Sequence, residues 1–241
     1  MPANLILLRH GQSEWNRDNR FTGWRDIALT SRGEEEARAA ARMLAERGIV
    51  YDIAFSSYLR RAIATMWIVL AENRRMWIPA APDWRLNERH YGALQGLKKD
   101  AAARHYGKEQ VFRWRRGYED TPPPETADDI KAANDDNAAV VGIAPDDGRY
   151  DGIAVPDAES LAQVEPRVWQ FFQSCAAPRL RQGKRVLIVA HGNSLRALIK
   201  QLEGLSPDAI SAVNIATASP IVYALDDDLR PVEKEQLTVN N

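Results

Sequence analysis

Apolar positions along the chain fall into two patterns: short unbroken runs, and longer stretches spaced three or four residues apart. The run Leu5-Ile6-Leu7-Leu8 predicts a buried strand from Asn4 that ends at Arg9-His10-Gly11. Ser31-Arg32-Gly33-Glu34 has capping-box spacing, and Ala37, Ala40, Ala41, Leu44 and Ala45 then share one helical face until Gly48 offers a C-terminal cap. Ile53 to Ser56 reads as a second strand, and Leu59, Ala62, Ile63, Met66 and Leu70 as the inner face of the helix that follows. Ile78 begins another short apolar piece. Arg185 to Ala190 is a β-rich run ending in His191-Gly192-Asn193-Ser194, after which Leu195, Leu198, Ile199 and Leu202 mark a helix closed by Gly204. Pro220 to Leu225 predicts a late strand.

Repeated strand, loop and helix units imply an α/β fold with a mostly parallel sheet flanked by helices on both faces. Ligands of such sheets bind beyond the carboxyl ends of the strands. Arg9-His10-Gly11 and His191-Gly192-Asn193 both occupy that position, so two histidines far apart in sequence are expected to meet at one site. Thr121 to Ala158 breaks the pattern with Pro122-Pro123-Pro124 and the acidic pairs Asp128-Asp129, Asp135-Asp136 and Asp146-Asp147. Residues 121–158 are therefore expected to form a long lid-like excursion from a single catalytic domain spanning 1–241. No internal repeat or linker divides the chain.

Composition narrows the function. With 241 residues, 45% hydrophobic and 27% charged, the chain is an ordinary globular protein rather than a disordered or fibrous one. A net charge of -1 leaves no global positive field to hold nucleic acid or an anionic membrane. Its distribution is uneven. Residues 1–120 carry 21 basic and 15 acidic groups, a surplus of +6, whereas residues 121–241 carry 11 and 18, a balance of -7. Of the 32 basic residues 25 are Arg, whose planar fork suits phosphate and carboxylate, although a codon bias towards Arg accounts for that excess equally well. The single cysteine, Cys175, excludes a disulfide framework and a multi-Cys metal site and reads as a small buried residue on a helix. No apolar run reaches the roughly 18 residues of a membrane span, and no signal peptide is visible, so a cytoplasmic protein is expected.

The chain has four histidines: His10, His90, His105 and His191. Taken singly, each is better explained as structural or exposed than as catalytic. His10 and His191 stand apart because each follows an apolar strand and precedes a glycine, where free backbone N–H groups meet an anion. No further ligands accompany them at metal-site spacing, so no metal is expected. Their neighbours are anion receptors instead: Arg9, Arg60-Arg61, Lys98-Lys99 and Arg115-Arg116. Any one of these pairs is an ordinary solvated face; together with two strand-end histidines they suggest a pocket for a small, multiply anionic molecule. A neutral imidazole can accept a phosphoryl group, cationic groups can stabilise its charge, and a separate acid must serve the leaving and attacking oxygens. Glu88, in Leu86-Asn87-Glu88-Arg89-His90-Tyr91-Gly92, is the candidate acid; a surface pair with Arg85 or Arg89 is the alternative.

Leu8 to Asn16 (LRHGQSEWN) resembles the RHG signature of the histidine phosphatase superfamily. Arg20 to Trp24 (RFTGW), Leu86 to Gly96 (LNERHYGALQG), Trp114 to Gly117 (WRRG) and Ala190 to Leu198 (AHGNSLRAL) are similar to the 2,3-bisphosphoglycerate-dependent phosphoglycerate mutases in particular, and the match covers nearly the whole chain. The resemblance implies that His10 is the phosphorylated nucleophile, Glu88 the proton donor and acceptor, and Arg9, Arg61 and His191 the holders of the transferring phosphoryl group. It further implies substrate contacts from Gly11, Ser13, Asn16, Thr22, Gly23, Tyr91, Lys99, Arg115, Arg116, Gly192 and Asn193. A 2,3-bisphosphoglycerate primer, small phosphoglycerate substrates and a homodimer or homotetramer belong to the same expectation.

Three stretches depart from the family pattern. Thr217-Ala218-Ser219-Pro220 replaces the glycine of T-G-x-P, Asp147-Gly148-Arg149-Tyr150 matches only part of D-x-R-Y within a longer segment, and the tail after Leu225 lacks the usual aromatic pair. They bear on lid closure and subunit contacts more than on the chemical step. Two other readings remain open: a phosphatase on the same scaffold, in which water discharges phospho-His10, and a non-catalytic module that binds a phosphorylated ligand.

Overall fold

The computed structural model describes residues 4–126 and 148–238. Its centre is one six-stranded sheet. In chain order the strands are β1 (Leu5–Arg9), β2 (Ile53–Ser56), β3 (Ala80–Pro82), β4 (Val186–Ala190), β5 (Ile221–Leu225) and β6 (Pro231–Gln236), arranged β3-β2-β4-β1-β5-β6. The pairs β2/β3, β2/β4 and β1/β4 are parallel, while β1/β5 and β5/β6 are antiparallel.

The unbroken apolar runs of β1 and β4 have a direct cause. Side chains alternate between the faces of a strand, so a strand covered on both faces must be apolar at every position. Leu5 and Leu7 of β1 join Val186, Ile188 and Ala190 of β4 in one core, which packs under the helices Leu161–Phe171 and Gly192–Glu203. Ile6 and Leu8 join Leu187 and Val189 in the other, under Ser31–Glu46 and Arg60–Glu72. These four helices therefore cover both faces, as the repeating pattern requires.

The register fixes the site. Leu8 and Ser56 both pair with Val189, and Arg9 pairs with Ala190, so β1, β2 and β4 end level with one another. Residues 10, 57 and 191 emerge side by side, and the His10 N–H donates to Ala190 O at 3.0 Å.

Several details differ from the sequence expectation. The helix of residues 31–46 is capped by Thr30, whose side chain accepts from Gly33 N; Ser31 is the first helical residue and makes no box. Gly48, at φ +64, does close that helix. The piece begun by Ile78 forms its strand only from Ala80. Cys175 is half-buried in a π-helical turn, Phe172–Ala176, with Sγ 3.3 Å from Arg85 Nη2, so it sits at the rim of the core rather than within it. Strand β6 was not anticipated.

Both described flanks of the 121–158 excursion are tied to the loop at residues 22–26. Glu125 forms an ion pair with Arg25, and Arg149 pairs with Asp26 at 3.0 Å. Tyr150 stacks on Trp24 at 5.4 Å, and its hydroxyl accepts from Asn87 at 3.0 Å. Residues 127–147, with all three acidic pairs, lie outside the described residues, so most of the expected lid does too. Among the described residues no helix is long and apolar enough to cross a membrane.

Candidate active site

The loop after β1 is pinned from behind. A Cβ on Gly11 would lie 2.1 Å from Gly33 O, and one on Gly33 would lie 2.0 Å from Gln12 O, so two glycines let this loop lie flat on the start of the helix 31–46. Ser13 caps the short helix Glu14–Arg17: its Oγ accepts from Asn16 N at 3.2 Å while Asn16 Oδ1 accepts from Ser13 N at 3.2 Å. Asn16, held by this cap, lines the cavity.

His10 and His191 do meet, with ring centroids 4.9 Å apart, and both are buried. His10 Nδ1 lies 2.6 Å from Gly11 O. A carbonyl only accepts, so Nδ1 carries the ring hydrogen and Nε2 keeps its lone pair. Around the pair stand two guanidinium groups, that of buried Arg61 and that of half-buried Arg9. Arg9 Nη1 donates to Ile215 O at 2.7 Å; Arg61 donates from Nη1 to Arg25 O and from Nη2 to Gly23 O, both at 2.8 Å. Arg9 Nε, Arg61 Nε and His191 Nδ1 are buried with no hydrogen-bond partner among the described residues. Arg25 Nε and Arg89 Nε and Nη1 are likewise unpartnered among the described residues; buried donors are normally satisfied, and the three beside His10 mark the place of an absent acceptor.

Glu88 lines the same cavity. Its Oε1 accepts from Arg89 N at 2.8 Å and Asn193 N at 3.0 Å, which leaves Oε2 to exchange a proton. The segment is held rigidly: Arg167 donates to the carbonyl oxygens of Arg85, Asn87 and Glu88 while paired with Glu159 at 2.8 Å.

The cavity has two lobes. One, of about 70 Å³, is lined by Arg9, His10, Asn16, Thr22, Gly23 and Arg61; the other, of about 120 Å³, by Arg115, Arg116, Gly192, Asn193, Arg196 and Asn214. Arg9, Glu88, Tyr91 and Lys99 line both. Such volumes admit only a small molecule, and the lining selects an anionic one.

Electrostatics agree with an anion receptor. Burial, then Arg61 and Arg9, hold His10 well below the usual imidazole range; burial, then Arg61, His10 and Arg9, do the same to His191. Both rings are neutral at neutral pH in the free protein. Burial and repulsion from Arg115, Arg9 and Arg116 bring Lys99 down to about 8, and burial together with Arg89 brings Arg196 down to about 10. Burial also lowers Arg61 to about 10, against the pull of Glu88. Cations so crowded are destabilised until a negative charge joins them.

Of the residues singled out from sequence, His10, His191, Arg9, Arg61, Glu88, Asn16, Thr22, Gly23, Tyr91, Lys99, Arg115, Arg116, Gly192 and Asn193 gather here. Gly11 and Ser13 stand behind the site, as backbone packing and helix cap. Arg60 and Lys98, the partners in two basic pairs, are exposed, and so is His105. His90 is buried but bonds Gln95 and Gly92 instead. Sequence reasoning missed Arg196 and Asn214. Arg196 follows Asn193 by three residues on one helix, a spacing that was available as a signal; Asn214 comes from a loop that offers none.

A family profile described as the histidine phosphatase superfamily (branch 1) matches residues 5–135 and 126–236. A 2,3-bisphosphoglycerate-dependent phosphoglycerate mutase of Pasteurella multocida (strain Pm70) is 52% identical over 97% of this chain and 99% of its own. The protein of the same description from Nitratidesulfovibrio vulgaris (strain DSM 19637 / Miyazaki F) is 48% identical over 97% and 90%. Among solved structures, a mycobacterial glucosyl-3-phosphoglycerate phosphatase complexed with VO3 superposes with a TM-score of 0.71 over 99% of both chains at 24% identity, which speaks for the fold alone.

Proposed function

Because this chain belongs to the histidine phosphatase superfamily, and within it to the family of the 2,3-bisphosphoglycerate-dependent phosphoglycerate mutases, we propose that it interconverts 3-phosphoglycerate and 2-phosphoglycerate through a phosphohistidine on His10. The observation that carries this reading is the bare Nε2 of a buried, neutral His10 set among the unpartnered donors of Arg9, Arg61 and His191.

In this mechanism Nε2 of His10 attacks phosphorus in line as the phosphorus–oxygen bond to the departing alkoxide breaks. Arg9, Arg61 and His191 take up the charge on the equatorial oxygens, so the step calls for no metal ion. Glu88 gives its Oε2 proton to the leaving oxygen and recovers one from the next attacking hydroxyl. Lys99, Arg115, Arg116 and Asn193 hold the carboxylate end in the second lobe. Two cationic lobes joined through Arg9 and Lys99 fit a molecule with two anionic ends, as a 2,3-bisphosphoglycerate primer has; that primer supplies the first phosphoryl group to His10.

The expected lid over residues 121–158 and a single catalytic body of residues 1–241 belong to the same reading, as does a cytoplasmic setting. The homo-oligomer would form through the edge of β3 that is unpaired among the described residues, which Met76 and Trp77 precede with 58% and 76% of their surfaces exposed. An exposed edge strand beside large apolar side chains is stabilised by pairing with a second copy. Incubation with both phosphoglycerates and the bisphosphate tests the activity. Isomer exchange with little free phosphate is expected; phosphate release in excess of exchange overturns it in favour of a phosphatase.

A further inference from the structure

Ser57, which follows β2, is fully buried with its Oγ 2.7 Å from His191 Nε2. The same Oγ accepts the Leu59 N–H at 3.2 Å. A serine hydroxyl has one proton to donate and two lone pairs. Leu59 occupies one lone pair, and among the described residues the hydroxyl has no other bonded neighbour, so the acceptor for its proton is His191 Nε2. In a neutral imidazole a nitrogen that accepts is bare and the other carries the hydrogen. That other atom is Nδ1, the buried orphan beside His10.

We propose that Ser57 is a positioning residue for phosphoryl transfer, holding His191 as the Nδ1–H tautomer so that a neutral donor points at the phosphoryl oxygens beside His10. What the donor serves rests on the phosphohistidine reading; the tautomer does not. The opposite tautomer would turn a ring lone pair towards a bound anion and strand the Ser57 proton in a buried site. The arrangement also tolerates charge. If His191 gains a proton once a phosphate is bound, the hydroxyl turns and accepts from Nε2–H with its second lone pair, and no heavy atom moves.

The two histidines thus share one tautomer and use opposite sides of it. His10 is Nδ1–H so that Nε2 attacks, and its tautomer is set by a backbone carbonyl that substitution cannot remove. His191 is Nδ1–H so that Nδ1 donates, and its tautomer is set by a side chain that substitution can remove.

The test combines spectroscopy with kinetics. Long-range proton–nitrogen correlation spectra of ¹⁵N-histidine-labelled wild-type protein are expected to show His191 with a protonated Nδ1 and a bare Nε2. Ser57→Ala is expected to shift that ring towards Nε2–H and to lower kcat about 10- to 100-fold, the usual scale for groups that orient a ring, with KM for phosphoglycerate nearly unchanged. A wild-type ring already in the Nε2–H form, or a Ser57→Ala protein that keeps both tautomer and rate, overturns the proposal. Should Ser57→Ala not fold, the wild-type spectrum decides alone. Failure of the functional reading shows separately, as a wild-type protein that takes up no acid-labile phosphate on His10.

Discussion

The sheet has a hollow at each end, and the larger one is at the end without catalytic groups. Beyond the amino ends of the parallel strands, about 640 Å³ is lined by Asn4, Asp52, Arg181, Arg185, Asp226 and Asp227, whereas the lobes at the carboxyl ends measure about 70 and 120 Å³. The difference lies in how charges are satisfied. At the amino end Arg185 and Asp52 pair at 2.6 Å, and that partnership draws the Asp52 carboxyl down to about 2. At the carboxyl end the buried Nε atoms of Arg9 and Arg61 and Nδ1 of His191 have no partner among the described residues. Unmet buried donors, more than volume, mark where a ligand belongs, because a bound anion removes a cost that the folded protein carries without it.

The comparison breaks most sharply by substitution at each end. His10→Ala is expected to lower turnover by at least about 10³-fold, the scale of losing a nucleophile, and to abolish acid-labile phosphate uptake. Arg185→Ala should leave turnover unchanged and cost about 1 kcal/mol or less, as for partly exposed ion pairs. Equal losses at both ends, in steady-state assays and urea unfolding, would remove the distinction.

Acid provides a second contrast. His10 and His191 are held neutral by burial, and burial brings the nearby His90 down to about 4. The unfolded chain binds protons at these histidines below about pH 6.5 while the folded chain does not, so stability is complete above that pH and declines below it. Each buried histidine should cost about 1 kcal/mol between pH 6.5 and 5.5. Unfolding free energies across that range check the slope, and inorganic phosphate should offset part of the loss.

A smaller effect concerns affinity. Lys99, at about 8, loses its charge as the pH rises through that value, so KM for phosphoglycerate should rise by several-fold from pH 7.5 to 9. Lys99→Met should show a raised KM without that rise. The smallest effect is at Ala218, which stands in the left-handed region at φ +48 while its N–H donates to Arg9 O at 2.9 Å. A residue with a Cβ pays about 1 kcal/mol there. Ala218→Gly should therefore stabilise the fold by up to about 1 kcal/mol, a rise in melting temperature that leaves the site intact.

What the sequence revealed of this molecule follows from what each residue's surroundings demand. Strands β1 and β4 were legible because cover on both faces forces unbroken apolar runs, and a histidine directly after such a run can point only beyond the sheet. Strand β6 was not, because Pro231–Gln236 is an edge whose residues are almost all exposed, so nothing constrains its pattern. Thr30 and Ser31 offer the same hydroxyl to a cap, and only the helix phase chooses between them. That phase also separates Arg61, buried, from Arg60, exposed, which adjacent letters cannot do. Ser57 carried no signal at all: a serine after a strand is ordinary turn chemistry, and its importance comes from the strand beside it.

The place of β1 between β4 and β5 has a consequence for how the chain is made. Asn4 at the head of β1 bonds Leu225, 221 residues later, and both neighbours of β1 are drawn from the last quarter of the chain. A nascent protein emerging from the ribosome thus carries His10 from the outset yet cannot assemble its site until residues 186–225 have been synthesised. Meanwhile one of its most apolar strands waits with both edges bare, a state prone to pairing with other chains. Premature termination before residue 186 would yield an inert fragment, and one that sticks.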